Sequence, residues 1–251
     1  MASSPLLDTF KRGEVNRELR LLAAQAVVAP RAEEQLELLV MLTGDADPDI
    51  AATAEQTIAK IPAAELARIL ASDVSPDTRA RFAAKGIQPA GTPGAAEAPL
   101  VDDSPEVEEA PADEDPQSAL QRIANLNVAR RIALAMKGNR EERAILIRDP
   151  NRIVTAAVLS SPKMNDTEVA AIAKMQNVSE DVLRTIAMNR AWLKNYSVVL
   201  AVVKNPKTPV ALSMNLMARL SEKDLKLLTT DRNVPDALRT QARRKLTSGD
   251  K

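Results

Sequence analysis

DPNRIVTAAVLSSPKMNDTEVAAIAKMQ (149–176), NVSEDVLRTIAMNRAWLKNYSVVLAVVK (177–204), NPKTPVALSMNLMARLSEKDLKLLTTDR (205–232) and NVPDALRTQARRKL (233–246) align without a gap at a spacing of 28 residues. The first column holds Asp149, Asn177, Asn205 and Asn233, residue types that turn a chain or cap a helix. Five places on stand Val154, Val182, Val210 and Leu238, and nine places on Val158, Ile186, Met214 and Ala242. Apolar residues four apart share one face of a helix, so the two columns predict a buried helical stripe in every block. A further apolar column, Ile172, Leu200 and Leu228, marks a second helix. Each block reads as turn, helix, break, helix.

Capping chemistry sharpens the boundaries. Thr208 before Pro209 predicts an N-cap and first-turn pair, and Ser221 with Asp224 has the form of a capping box. Gly138 followed by Asn139 ends one helix and opens the next within LNVARRIALAMKGNREERAILIR (126–148), an irregular pair preceding the regular blocks. The same spacing returns upstream, where DADPDIAATA (45–54) and DVSPDTRARF (73–82) align and place Ile50, Ala54 and Phe82 in the apolar columns. One period earlier, Leu22 and Ala26 take the equivalent places. VSPDTRARFA (74–83) parallels VSEDVLRTIA (178–187), so the two halves read as diverged copies of one unit.

Charge divides the chain more sharply than hydropathy does. Residues 1–88 carry 10 Lys+Arg and 13 Asp+Glu, residues 89–118 carry 0 and 9, and residues 119–251 carry 24 and 12, which hides a −9 segment and a +12 segment inside a net charge of +0. The acidic segment also holds Pro89, Pro93, Pro99, Pro105, Pro111 and Pro116 and few large apolar residues, so it predicts an extended, disordered linker. The predicted organisation is a tail at 1–14, a helical-repeat domain at 15–88, the linker at 89–118, a basic helical-repeat domain at 119–247 and a tail at 248–251. The fold class is all-α: two short α-solenoid modules of period about 28, each stabilised by stacking of neighbours that cannot bury their own apolar stripes alone.

DADPDIAATA resembles the turn and second helix of a HEAT repeat. The blocks containing Asn-Pro, above all KNPKTPVALSMNLMARL (204–220), are similar to the leucine-rich-repeat-variant type of short helical repeat, as found in bacterial proteins of this kind. The resemblance spans roughly residues 15–86 and 119–246. It implies stacked helix pairs and a role as an interaction scaffold, and it carries no catalytic residue onto this chain.

Composition removes most enzyme chemistries. With Cys 0 and His 0 there is no thiol nucleophile, no imidazole base and no thiolate or imidazole zinc site. The aromatics are Phe10, Phe82, Trp192 and Tyr196, too few for a base-stacking platform. No Walker or dinucleotide motif occurs, and acidic pairs such as Glu141 with Glu142 lie where nothing separates their pKa values. The reading is therefore a chain that is not an enzyme, with no cofactor and no metal. No stretch of about 18 apolar residues is present, which predicts a cytoplasmic protein that does not insert in a membrane.

The candidate interaction residues are Arg148, Lys204, Arg232, Arg190, Lys194 and Tyr196. Arg148, Lys204 and Arg232 each precede a block opener, with Gln176 interrupting the series, and would form either a basic ladder or local partners of helix C-termini. Trp192 and Tyr196, four apart, would share a helix face. Trp192 falls in an apolar column with Met164 and Leu220, and Tyr196 in a polar one with Glu168 and Asp224, flanked by Arg190 and Lys194. Tyr196 is then either a binding anchor or an ordinary surface ring. Further cations at Arg130, Arg131, Lys137, Arg140, Arg143 and Arg152 gather where the acidic linker joins. The linker's acids either lie back along that basic surface or act as a solvated tether. The function expected is a scaffold binding a protein partner through the second module. The alternative is a polyanion-binding module, for RNA or DNA, that uses the basic domain and is modulated by the linker. The oligomeric state is left open.

Overall fold

The computed structural model describes residues 5–13, 15–28, 31–91, 99–106 and 115–248. Of the predicted tails and linker, residues 1–4, 14, 92–98, 107–114 and 249–251 lie outside the described residues. Among the described residues there are sixteen α-helices, one 3-10 turn and no strand, so the chain is all-α. They fall into two compact units divided between Lys163 and Met164.

The first unit contains α1 (Pro5–Lys11), α2 (Arg17–Ala24), α3 (Ala32–Leu42), α4 (Pro48–Ala59), α5 (Ala63–Leu70), α6 (Pro76–Ala84), α7 (Pro116–Ala124), α8 (Val128–Lys137), α9 (Arg140–Leu146) and α10 (Arg152–Leu159). The second contains α11 (Asp166–Lys174), α12 (Glu180–Met188), the 3-10 turn Trp192–Lys194, α13 (Tyr196–Lys204), α14 (Val210–Met217), α15 (Glu222–Thr230) and α16 (Asp236–Ser248).

Short-range chemistry sets where these helices begin. Eleven open on an Asn, Asp or Ser whose side chain accepts a first-turn backbone N–H, an interaction worth about 1 kcal/mol each. Gly138 and Asn139 close α8 and open α9 as their order predicts, and Asn139 with Glu142 completes a capping box. Helices of 7 to 13 residues are nonetheless too short to persist alone, so their stability comes from packing.

A long-range device accompanies that packing. The last carbonyls of a helix lack intrahelical partners, and here a polar side chain roughly one period later supplies several of them. Thr57 Oγ1 donates to the Ala24 carbonyl at 2.6 Å and Ser161 Oγ to Met136 at 3.0 Å. Asn205 Nδ2 donates to Ala173 at 2.8 Å and to Met175 at 2.9 Å, and Lys245 Nζ reaches Met217 at 3.4 Å. Asn205 is 4% exposed, so this first-column residue joins one helix pair to the next besides turning its own chain.

Two parts of the first unit depart from the composition-based boundaries. Within the stretch read as a tail, α1 buries Leu6, Leu7, Thr9 and Phe10 and packs on α3 and α10, with the Leu6 N–H donating to Ser160 Oγ at 3.1 Å. The reason lies in α10, RIVTAAVL, whose residues Ile153–Leu159 are all buried and which therefore needs a neighbour on every side. Within the stretch read as a linker, Leu100–Asp103 is bonded to the helices of the first unit, as described below. The compact units thus divide at 163/164, while the break in composition lies at 89–118.

Candidate interaction face

The third block departs from the column pattern. α10, α12 and α16 begin at or beside the fourth place of their blocks, at Arg152, Glu180 and Asp236, whereas α14 begins at the sixth, Val210. Pro209 accounts for the delay, because it disfavours helical dihedrals at Thr208. Thr208 accordingly does not cap α14. Its hydroxyl donates backward to the Val202 carbonyl at 2.7 Å, and Pro209 stands at the N-cap without a side-chain bond.

The consequence is a change of face. Ser213, Leu216, Met217 and Leu220 turn inward, spaced at i, i+3, i+4 and i+7, and the column residues Val210 and Met214 turn outward, each 37% exposed. Their counterparts Val154, Val182, Leu238, Val158, Ile186 and Ala242 are all buried. Ser213 sits at 0% exposure with no partner for its hydroxyl, a cost that a helix with Met214 inward would not bear. Val210 and Met214 form an apolar face one turn apart on the outside of α14. Sequence columns assign both to the core, and the signal that could have moved them is the proline at the fifth place of that block alone.

Tyr196 is 42% exposed, and its hydroxyl is engaged at the start of α15. Ser221 Oγ accepts the Asp224 N–H at 3.2 Å, the first half of a capping box. The second half runs through the tyrosine: the Ser221 N–H donates to Tyr196 Oη at 3.0 Å, and Tyr196 donates to Asp224 Oδ2. Hydrogen bonds from Tyr196 and then Ser221 hold the Asp224 carboxyl below the usual carboxylate range. Trp192 does not share a helix with Tyr196. It is half-buried in the 3-10 turn, and Asn195 breaks the chain between them by capping α13.

The predicted cations fall in both units. Arg148 is exposed in the first unit, and its Nε donates to the Ala144 carbonyl at 3.0 Å near the end of α9, the local partnership of a cation with a helix C-terminus. Lys204, the last residue of α13, borders a cleft of about 360 Å³ in the second unit that Lys174, Ser197, Leu200, Asn205 and Asp231 also line. Arg232, Arg190 and Lys194 are exposed, and Arg232 does not border that cleft. Asp231 beside Lys204 moderates the positive field there. Among the described residues no helix is long and apolar enough to cross a membrane, and no cluster of three acidic side chains could hold a metal ion.

Comparison with known proteins returns no match, whether to a family model, to a curated protein or to a solved structure.

Proposed function

We propose that the chain is a non-catalytic scaffold of two short helical-repeat modules that binds a protein partner through its C-terminal unit, with the outer face of α14 as the contact. The observation that carries this reading is the outward turn of Val210 and Met214 on a helix whose inward face buries a serine instead. Exposed apolar side chains rimmed by polar ones favour protein contact, and methionine adapts to a partner's surface without a fixed shape. Met188, 68% exposed at the end of α12, adds to the apolar area of the same unit. Residues 164–251 carry 15 Lys+Arg against 9 Asp+Glu, so the favoured partner presents apolar anchors among acidic residues.

The test compares proteins retained by the immobilised full chain and by Met214→Glu, in parallel with a titration of both against labelled RNA and duplex DNA across a salt series. A protein retained at high salt by the original chain and lost from the variant supports the reading. The same proteins retained by both, or nucleic-acid binding with a steep salt dependence and no protein, rejects it in favour of the polyanion alternative.

A further inference from the structure

Gln35 is the polar interruption of an otherwise apolar stripe on α3, Ala32, Leu36, Leu39 and Leu42, and is itself 1% exposed. A buried carboxamide with donor and acceptor unmet is costly, and this one meets both on a single stretch of extended chain. Its Oε1 accepts the Leu100 N–H at 2.7 Å and the Val101 N–H at 3.0 Å, and its Nε2 donates to the Val101 carbonyl. One side chain therefore meets both the donor and the acceptor of Val101, as a neighbouring strand would.

The next two residues are read by charge. Asp102 pairs with Lys137 at 2.6 Å and Asp103 with Lys60 at 2.7 Å, while the Asp103 N–H donates to the Ala26 carbonyl at 3.2 Å. Ala26 is the one non-glycine with positive φ among the described residues, +59°, and that left-handed turn after α2 places its carbonyl for the bond. Burial alone would raise the Asp102 carboxyl, but hydrogen bonds from Lys137 and Ser104 hold it below its ordinary value.

Recognition of main chain by a buried amide, with side-chain selection by the exposed Lys60 and the half-buried Lys137, is independent of who supplies the peptide. We propose that the surface formed by Gln35, Ala26, Lys60 and Lys137 is a binding site for an extended acidic peptide of the pattern apolar, apolar, Asp, Asp, occupied in cis by Leu100–Asp103 and able to accept the same pattern from a partner protein. Leu100 and Val101 are only half-buried, and the two ion pairs are substantially exposed, so the cis occupant is held by contacts that a competitor can replace. Tethering gives that occupant an effective concentration in the millimolar range, which sets the competition. This site lies in the first unit and its proposal does not depend on the reading of α14.

The probe is a labelled synthetic peptide, PLVDDSPE, the sequence of residues 99–106, titrated against the full chain. Replacing Asp102 and Asp103 by Ala in the chain weakens the cis occupant, and the expected result is at least tenfold tighter peptide binding than to the original chain. Adding Lys60→Glu and Lys137→Glu abolishes that binding, and the charge-swapped peptide PLVKKSPE restores it. Both lysines are surface residues, and unchanged helical content and unfolding midpoint show that the variants fold. In the original chain, excess peptide accelerates hydrogen exchange of the Asp103 amide as the cis segment is displaced. Equal binding by the original chain and the Asp102/Asp103 variant, binding indifferent to Lys60 and Lys137, or Asp103 exchange unmoved by excess peptide overturns the proposal and leaves the segment a structural staple.

Discussion

α10 and α14 stand in corresponding blocks and are both almost wholly apolar, RIVTAAVL against VALSMNLM, yet their surroundings differ. α10 has seven consecutive buried residues, because α1 comes back from the start of the chain to pack on it. α14 keeps Val210 and Met214 in solvent, with a serine buried on the other side. The chain thus covers α10 on every side and leaves part of the apolar surface of α14 in solvent. It also shows that a 28-residue column describes a helix face only while every block starts its helix at the same place.

The comparison can be broken most forcefully at the cover. Phe10→Ala removes the largest buried ring of α1, and loss of about 3–5 kcal/mol is expected from denaturant unfolding of the full chain, with Leu6→Ala close behind at about 2–5 kcal/mol. A change below about 1 kcal/mol in both would mean that α1 is a dispensable appendage. The column positions sharpen the point: Ile186→Ala is expected to cost about 2–5 kcal/mol, and Met214→Ala, in the same column, less than about 1 kcal/mol. Similar losses at the two sites would put Met214 in the core and remove the proposed contact face.

Tyr196→Phe deletes the hydroxyl that completes the cap of α15, with an expected loss of about 1 kcal/mol. Its pH dependence has a definite sign. The folded carboxyl of Asp224 is depressed chiefly by Tyr196, so its stabilisation is present above the ordinary carboxylate range and disappears as pH falls through the depressed value. Phenylalanine moves the acid limb of the stability profile to higher pH, as urea midpoints measured across the acid range would show. An unmoved limb would detach the tyrosine from the cap. The smallest effect is expected at Ser213→Ala: removing a buried hydroxyl that has no partner leaves stability unchanged or raises it by up to about 1 kcal/mol. A marked loss there would reveal a partner for Ser213 and weaken the account of α14.

Much of the helical architecture was legible in local sequence. Gly138 with Asn139, Asn151, Asn165 and Ser179 mark helix boundaries by chemistry that operates within one turn, and residues such as Val154, Val182, Ile186 and Val158 reach the core as their spacing predicts. Ser221 with Asp224 was half legible, since their own hydrogen bond is local but the second limb comes from Tyr196, 25 residues away. Arg148, Lys204 and Arg232 share a sequence column, and a column carries no information on which unit a residue joins or which carbonyl lies within its reach. Gln35 carries no signal in the sequence, because one polar residue among leucines has no meaning until the groups it bonds are located.

The all-α class, most helix starts and the stripe of apolar residues that each helix offers for burial follow from local sequence, since capping and periodicity act over three to seven residues. Which stripes are covered, where the compact units divide and what Leu100–Asp103 is bonded to depend on contacts between residues far apart in the chain. Leu100–Asp103 has the composition of a tether and is nonetheless bonded to Gln35, Lys60, Lys137 and the Ala26 carbonyl. Those partners lie 35 to 77 positions away along the chain, and composition holds no record of contacts at that range.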